Sequence, residues 1–278
     1  MASTYDSIAA SDNLTDSSAA LSSMGINLSR FTHDLLFWAT QESKGIRIDD
    51  SFIQISSIMP QKRNPVVLEH LRARISRMLG YAQSTVIQCH NIPFGDTQDI
   101  EDEIFPSLFG GLETGAEVLD LYTAVIETLH VNVAYLRERA IAGFTTVTEL
   151  ADTLVRQTDL PFRQAHRIVS GVVNYSLEHK LEPSQINSQI LADVSASVIG
   201  TRIDLPDAVI QRALDPAAFV QIRTGLGGSA PTATAAVLDQ QAQQLETDRQ
   251  NLASHIQQLE QARSRLLDEV SAILQAST

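Results

Sequence analysis

The sequence predicts an all-α protein, in which a bundle of long helices is followed by a small helical C-terminal domain. Aromatic residues make up only 5% of the 278 residues, whereas the helix formers Ala, Leu and Gln are abundant. Leucines recur at intervals of seven residues in two long stretches, which is typical of helices packed nearly parallel to their neighbours. We find no convincing strand pattern and no internal repeat. The hydrophobic fraction of 44% is enough to bury a full core.

The first long helix is predicted from a seven-residue repeat. Leu14, Leu21, Leu28 and Leu35 form one series, and Met24, Phe31 and Trp38 fall at the complementary positions between them. These positions correspond to the seam of a helix that packs side by side with others. The pattern therefore predicts one member of a bundle.

Two more long helices are predicted after the first. One begins near Pro65, which suits a first helical turn, and ends near Gln88. The other extends from about Phe105 to Arg139 as one helix with a continuous apolar stripe. Helices of ~25–35 residues far exceed the usual mean of roughly 11–12 residues, so an elongated bundle is expected.

Shorter helices are predicted after Gly143. Two of them meet around Pro161, and two more have capping-type starts at Ser184 and Asp204. A final helix from Ala233 to about Gln275 repeats leucine at intervals of seven residues, at Leu238, Leu245, Leu252, Leu259 and Leu266. We therefore expect three parts: a bundle portion in residues 1–140, a small helical domain in 141–231, and a helix in 232–278 that packs back on the bundle.

Charge and composition exclude several classes of function. The formal net charge of −13 argues against nucleic acid as a partner, because phosphate binding needs a basic face. No apolar run reaches ~18 residues, so we expect no membrane span. The N-terminal residues lack the basic-then-apolar order of a signal peptide. One cysteine, Cys89, excludes an intrachain disulfide and fits a reducing compartment. A soluble, cytoplasmic protein is expected.

The stretch from Ser56 to His70, SSIMPQKRNPVVLEH, concentrates polar groups in a loop between prolines. Ser56 or Ser57 can act as a base only if nearby donors stabilise its alkoxide. Lys62 could supply a cation and Asn64 a neutral donor, which suits a substrate carboxylate whose charge grows as a proton leaves the adjacent carbon. Glu69 could support a charged histidine. The other interpretation is a polar surface loop that caps a helix.

The loop SSIMPQKRNP closely resembles the signature loop of the fumarase/aspartase superfamily. The glutamine before Lys62 resembles the argininosuccinate lyase branch, and three other stretches are similar to that branch. They are NLSRFTHDLLFWATQE (27–42), FTTVTELADTLV with LPFRQAHRIVSGVV, and ALDPAAFVQIRTGLGGSAP. The resemblance implies a carbon–nitrogen lyase, in arginine biosynthesis by default, that eliminates an amine from an N-substituted aspartate and releases fumarate. It implies a homotetramer whose active sites each draw on three subunits, and no metal or organic cofactor.

Roles for individual residues follow from the resemblance. Ser56 matches the carbanion-forming base, with Ser57 and Met59 beside it as substrate contacts, and Lys62 and Asn64 match contacts to the substrate carboxylate. Two further residues have implied roles: Glu69 matches the glutamate that pairs with a catalytic histidine, and Gln98 matches a glutamine that contacts the amine half of the substrate. A second alignment register places Ile100 at that glutamine instead.

Departures from the family pattern leave a second hypothesis open. Ile55 stands where the loop usually has glycine, and a β-branched residue does not readily adopt positive φ. The segment 96–103 carries five acidic groups and no basic one, which suits a cationic amine half. The arginine- and histidine-bearing regions of the family have no counterpart in residues 1–55, and His33, His70 and His166 do not replace that histidine. The chain is therefore expected to be inactive without those regions, or to be a non-catalytic assembly protein or remnant that keeps the lyase fold.

Overall fold

The computed structural model describes residues 3–55, 58–59 and 61–276, and within them the protein is all-α, as predicted, with eleven α-helices. The chain forms two compact units that divide between Leu136 and Arg137. The proposed boundary near residue 231 stays a prediction. Among the described residues, no helix combines the length and the apolar character needed to cross a bilayer.

The first unit is built on three long helices. A short helix, α1 (Thr4–Ala9), precedes α2 (Asp12–Trp38), and these are followed by α3 (Val66–Gln88) and α4 (Phe105–Thr128). Helix α3 begins one residue after the predicted Pro65 and ends at the predicted Gln88, α4 begins at the predicted Phe105, and α2 contains the whole series from Leu14 to Trp38. Their shared core contains the fully buried side chains Leu14, Leu35, Leu68, Leu71, Ile75, Met78 and Ile104.

One polar contact fixes α4 against α2 inside this core. The Tyr122 hydroxyl donates to the backbone oxygen of Leu28 at 2.7 Å and is also hydrogen-bonded with the hydroxyl of Thr32, which is fully buried. Burial raises the pKa of Tyr122 above its ordinary value, and the Thr32 hydrogen bond opposes that shift. The hydroxyls of Tyr122 and Thr32 therefore both have partners, which avoids the cost of leaving these two groups unpaired.

The prediction of a single helix from Phe105 to Arg139 is wrong. The backbone becomes extended at Leu129, and residues His130–Val131 form strand β4 before α5 (Val133–Ala142) begins. Strand β4 pairs with β1 (Ile46–Arg47), in the segment that follows α2. The apolar stripe continues through this break, so hydrophobic periodicity gave no indication of it.

The second unit contains shorter helices around its own core. After α5, helix α6 (Val147–Gln157) leads to α7 (Phe162–Glu178), and these are the two helices predicted around Pro161. Helices α8 (Ser188–Ile199), α9 (Asp207–Leu214) and α10 (Pro216–Gln221) complete this part. The predicted capping positions Ser184 and Asp204 are wrong by three and two residues, because the Asn187 side chain caps α8 and Pro206 is the N-cap of α9.

The last helix, α11 (Pro231–Ala276), has 46 residues, and none of them is buried. It begins two residues before the predicted start and ends one residue after the predicted end. Its packing on the bundle of the first unit stays a prediction.

Candidate active site

A small hairpin holds the predicted reactive loop at the start of α3. Strand β2 (Gln54–Ile55) pairs antiparallel with β3 (Arg63–Asn64), so that Gln54 is opposite Asn64 and Ile55 is opposite Arg63. The two ends of the segment between them are therefore close together. The hairpin delivers Lys62 and Asn64 directly to the N-terminus of a 23-residue helix, where the helix dipole favours negative charge.

Two of the predicted site residues, Ser56 and Ser57, lie outside the described residues. Ile55, which replaces the usual glycine, is in the extended conformation of β2, and its side chain is exposed. The backbone N–H of Lys62 donates to the carbonyl of Met59 at 3.0 Å.

A cleft of about 730 Å³ opens between this loop and the C-terminal part of α2. Three predicted substrate contacts line it, namely Met59, Lys62 and Asn64. Residues from α2 and the following turn form the opposite side, and they are His33, Leu36, Phe37, Ala39, Thr40, Gln41 and Glu42. The structure thus brings the carboxylate-binding candidates of the loop into one concave site.

The cleft is rich in positive charge although the chain as a whole is acidic. Lys62, Arg63 and Arg72 line it, and Glu42 is the one carboxylate among the described residues of its lining. Arg63 forms an ion pair with Asp50, which is also ion-paired with Arg47 at 3.5 Å, so part of the Arg63 charge is offset. Lys62 is exposed and faces a site that can accept an anion.

Hydrogen bonds order the segment that leads into the hairpin. The Asp49 carboxylate accepts from the backbone N–H of Ser51 at 3.0 Å and from the Ser51 hydroxyl at 2.7 Å. These bonds, the backbone one first, hold the pKa of Asp49 below its ordinary value. Asp49 caps the short 3₁₀ turn Asp50–Phe52, which precedes β2. The geometry of the hairpin therefore depends on local polar contacts as well as on the bundle.

The structure places one histidine in the cleft lining but does not place Glu69 there. Glu69 is exposed in the first turn of α3, and its backbone N–H donates to the carbonyl of Pro65 at 3.3 Å. From α3 the described cleft lining includes Arg72 but not Glu69. His33 is exposed and lines the cleft. The pairing of Glu69 with a catalytic histidine stays a prediction.

Gln98 lies beyond the opposite end of α3 from Lys62. The 23 residues of α3 span roughly 34 Å at ~1.5 Å per residue, so one chain does not bring Gln98 to the cleft. Gln98 is exposed and precedes a π-helical turn, Ile100–Ile104, that carries exposed Glu101, Asp102 and Glu103. The amine-contact candidate and the carboxylate-contact candidates therefore belong to two separate places in the first unit.

Sequence reasoning missed the α2 side of the cleft. His33 and Phe37 lie one turn apart on the same face of α2, and Thr40 follows in the turn after the helix. That face could have been identified as a lining from its mixture of polar and aromatic residues, but only once the loop was known to pack beside it. Within the described ranges, no group of three or more His, Cys, Asp or Glu residues is arranged to hold a metal ion.

Similarity to known proteins covers almost all of the chain. A family model described as lyase matches residues 1–80, and one described as argininosuccinate lyase C-terminal matches residues 144–221. The argininosuccinate lyase of Methanothermobacter thermautotrophicus is 32% identical over 249 residues, which covers 90% of this chain and 53% of that protein. The chain belongs to the argininosuccinate lyase family. Argininosuccinate lyase from Methanosarcina barkeri is also 32% identical, over 98% of this chain and 54% of its own length.

Solved structures extend the comparison to the whole fold. EDDS lyase in complex with formate superposes with a TM-score of 0.84 at 29% identity, covering 99% of this chain and 55% of that chain. A class II fumarase from Schistosoma mansoni, at 17% identity and a TM-score of 0.54, shares the fold. The chain spans about half the length of the curated argininosuccinate lyases that it matches.

Proposed function

We propose that the chain provides the loop-bearing part of the active sites of a carbon–nitrogen lyase, which cleaves an N-substituted aspartate and releases fumarate. The observation that carries this proposal is the cationic cleft at the start of α3, lined by Lys62 and Asn64 of the signature loop. Family membership supports it, as does a second structure similar to the chain, an EDDS lyase variant with bound fumarate, at a TM-score of 0.83.

In the proposed reaction, Ser56 removes the proton next to a substrate carboxylate. Lys62 and Asn64 hold that carboxylate while negative charge develops on it, and the N-terminus of α3 adds a favourable field. Ser57 and Met59 complete the loop side of the site. The carbon–nitrogen bond then breaks, the electron pair goes to the amine nitrogen, and a histidine supported by Glu69 manages the proton of the leaving amine.

The proposed catalytic assembly contains several copies of the chain, most simply a homotetramer. Gln98 and the loop of the same chain lie at opposite ends of α3, so Gln98 can contact the amine half of a substrate only in another copy's site. Regions equivalent to the remaining part of the curated relatives supply the missing arginine- and histidine-bearing groups. The chain of 278 residues alone is therefore expected to have no useful activity.

Argininosuccinate is the default substrate because the curated relatives compared above are argininosuccinate lyases. The exposed acidic groups of the Gln98 segment favour an amine half that carries positive charge and disfavour a second carboxylate. An N-substituted aspartate with a cationic amine half is thus the second substrate class to test.

Fumarate release, followed by ultraviolet absorbance, tests the proposed function. The chain is assayed alone and together with the N-terminal region of a relative, on argininosuccinate and on aspartates with cationic N-substituents. We expect turnover in the mixture and none from the chain alone, and Ser56→Ala should abolish it. If a well-folded mixture that forms oligomers releases no fumarate from any of these substrates, the remnant hypothesis is favoured instead.

A further inference from the structure

Helix α11 carries an apolar seam that the described chain leaves in solvent. The seam contains Leu238, Leu245, Leu252, Leu259 and Leu266, which repeat every seven residues, and none of the helix is buried. The side chains of Leu245, Leu252 and Leu259 are 53%, 61% and 71% exposed. A row of large apolar side chains on one face of a long helix is expected to bind a partner surface.

A second series completes the seam as a coiled-coil pattern. Four residues after each leucine come Ala242, Arg249, Ile256, Arg263 and Val270, so the leucines occupy one core position of the heptad and this series the other. Arg249 and Arg263 are the two charged residues of this second series, and they bear on how the helices can pair. A charged residue at a core position constrains how two such helices can be aligned, because it must be matched by an opposite charge.

We infer that α11 pairs with α11 of a second copy as an antiparallel coiled coil. Sliding two antiparallel copies so that Ile256 packs beside Leu252 of the partner aligns every layer from residue 238 to residue 270. In that register Arg249 packs in the layer of the partner's Leu259, beside the partner's Glu260. By the same symmetry, Arg263 packs in the layer of the partner's Leu245, beside the partner's Glu246.

Charge distinguishes this arrangement from a parallel one. The antiparallel register brings two arginines and two glutamates together at each half of the pair, which compensates their charges. A parallel pair would place Arg249 against Arg249 and Arg263 against Arg263, and such like-charge contacts are unfavourable in a core layer. The aliphatic parts of the arginine side chains can cover the neighbouring leucines while their guanidinium groups reach the glutamates.

The seam is large enough for a stable interface. Each large apolar side chain removes roughly 60–120 Å² from water when it is fully buried, so the seams of two helices together remove on the order of 1,000 Å². That area reaches the ~1,000 Å² expected of a specific interface. The paired helices would join two copies through their second units.

Thiol crosslinking of the full chain tests this inference. In a Cys89→Ser background, Ala253→Cys places a thiol beside the symmetry axis of the antiparallel pair, whereas Ser254→Cys places one at the same height on the outer face. With a short bis-maleimide, Ala253→Cys should form several-fold more covalent dimer than Ser254→Cys. Leu238→Cys should not crosslink with itself, but it should crosslink with a coexpressed Val270→Cys chain.

Each other occupant of the seam gives a distinct result that would overturn the inference. Self-crosslinking of Leu238→Cys would indicate a parallel pair. Absence of crosslinking at Ala253→Cys would indicate that the seam is covered within its own molecule, as expected if α11 packs back on the bundle. Equal crosslinking of Ala253→Cys and Ser254→Cys would indicate random collision and no packed seam.

Discussion

Glu149 is a charged side chain in the interior of the second unit, where its exposed fraction is only 2%. Its carboxylate pairs with Arg156 through one oxygen and with Arg223 through the other, the latter at 2.5 Å, and the Thr153 hydroxyl donates to it at 3.2 Å. The Arg223 guanidinium also lies 4.4 Å from the centre of the Phe219 ring. These contacts connect α6 to the segment after α10, and they compensate the burial of the charge.

Replacing Arg223 should destabilise the second unit more than replacing a surface arginine. Arg223→Met removes the ion-pair partner of one oxygen of the buried Glu149 carboxylate, so we expect a loss of about 1–3 kcal/mol in the free energy of unfolding. Arg202→Met is the matched control, because its ion pair with Asp193 is exposed and is worth only ~0–1 kcal/mol. Urea unfolding followed by circular dichroism measures both. Equal effects of the two substitutions would contradict the assigned role of Arg223.

Lys62 is the cation that the account assigns to the substrate carboxylate. In the enzyme completed with N-terminal regions, Lys62→Met should lower kcat by about 10²–10³, because a donor to the developing negative charge is lost. Lys180→Met removes an exposed lysine of the second unit and should leave the rate unchanged. Steady-state fumarate release measures both variants. If Lys62→Met keeps the full rate while Lys180→Met reduces it, the assignment of the cleft is wrong.

At the scale of single elements, α4 shows more apolar surface than its own bundle covers. Leu112, Leu119 and Ile126 recur at intervals of seven residues, and their side chains are 44%, 46% and 46% exposed. Val118 and Tyr122 of the same helix are buried in the core. A helix with two apolar faces is expected to pack on two sides, so this second face predicts association between copies.

Polar substitution on that second face should weaken the association without unfolding the bundle. Leu119→Gln combined with Ile126→Gln should shift the sedimentation coefficient towards that of a smaller species at equal concentration. The control is Glu127→Gln, which changes an exposed neighbour and should leave the species unchanged. Helicity should be retained in all three proteins. Unchanged sedimentation of the double variant would show that the stripe is not an interface.

How much of the fold could be predicted differs between types of element. The helices α2, α3 and α11 could be predicted from the heptad series of α2 and α11 and from Pro65 with the apolar stripe after it, because an apolar stripe at helical spacing marks a long helix. The interruption after Leu129 could not be predicted, because strand β4 is fixed by pairing with Ile46–Arg47, far away in the sequence. The hairpin at the base of the loop could not be predicted either, because its strands have only two residues each and so show no periodicity.

The candidate site could likewise be predicted only in part. Lys62, Asn64 and Met59 were predicted from the motif, and the structure brings them into one cleft. The contribution of His33 and Phe37 depends on how the end of α2 packs beside the loop, which is a tertiary property. Ser56 and Ser57 stay predictions because they lie outside the described residues. Gln98 stays one because no single chain unites it with the loop.

For the whole molecule, the central claim is that the reactive loop and the Gln98 segment act together only across copies. The length of α3, roughly 34 Å, separates them within a chain, whereas a symmetric oligomer can bring the loop of one copy to the segment of another. Two variants that are each impaired at a different place should therefore complement each other when they share an oligomer.

Fumarate release by mixed oligomers tests whether the loop and the Gln98 segment act across copies. With N-terminal regions supplied, Ser56→Ala and Gln98→Leu chains are assayed separately and after coexpression, and Ser56→Ala with Lys62→Met is the control pair. We expect coexpressed Ser56→Ala and Gln98→Leu chains to recover activity, because some sites then receive an intact loop and an intact Gln98 segment. The control pair should stay inactive, because both changes affect the same loop. If the two impaired variants form mixed oligomers but recover no activity, the loop and the Gln98 segment do not act across copies.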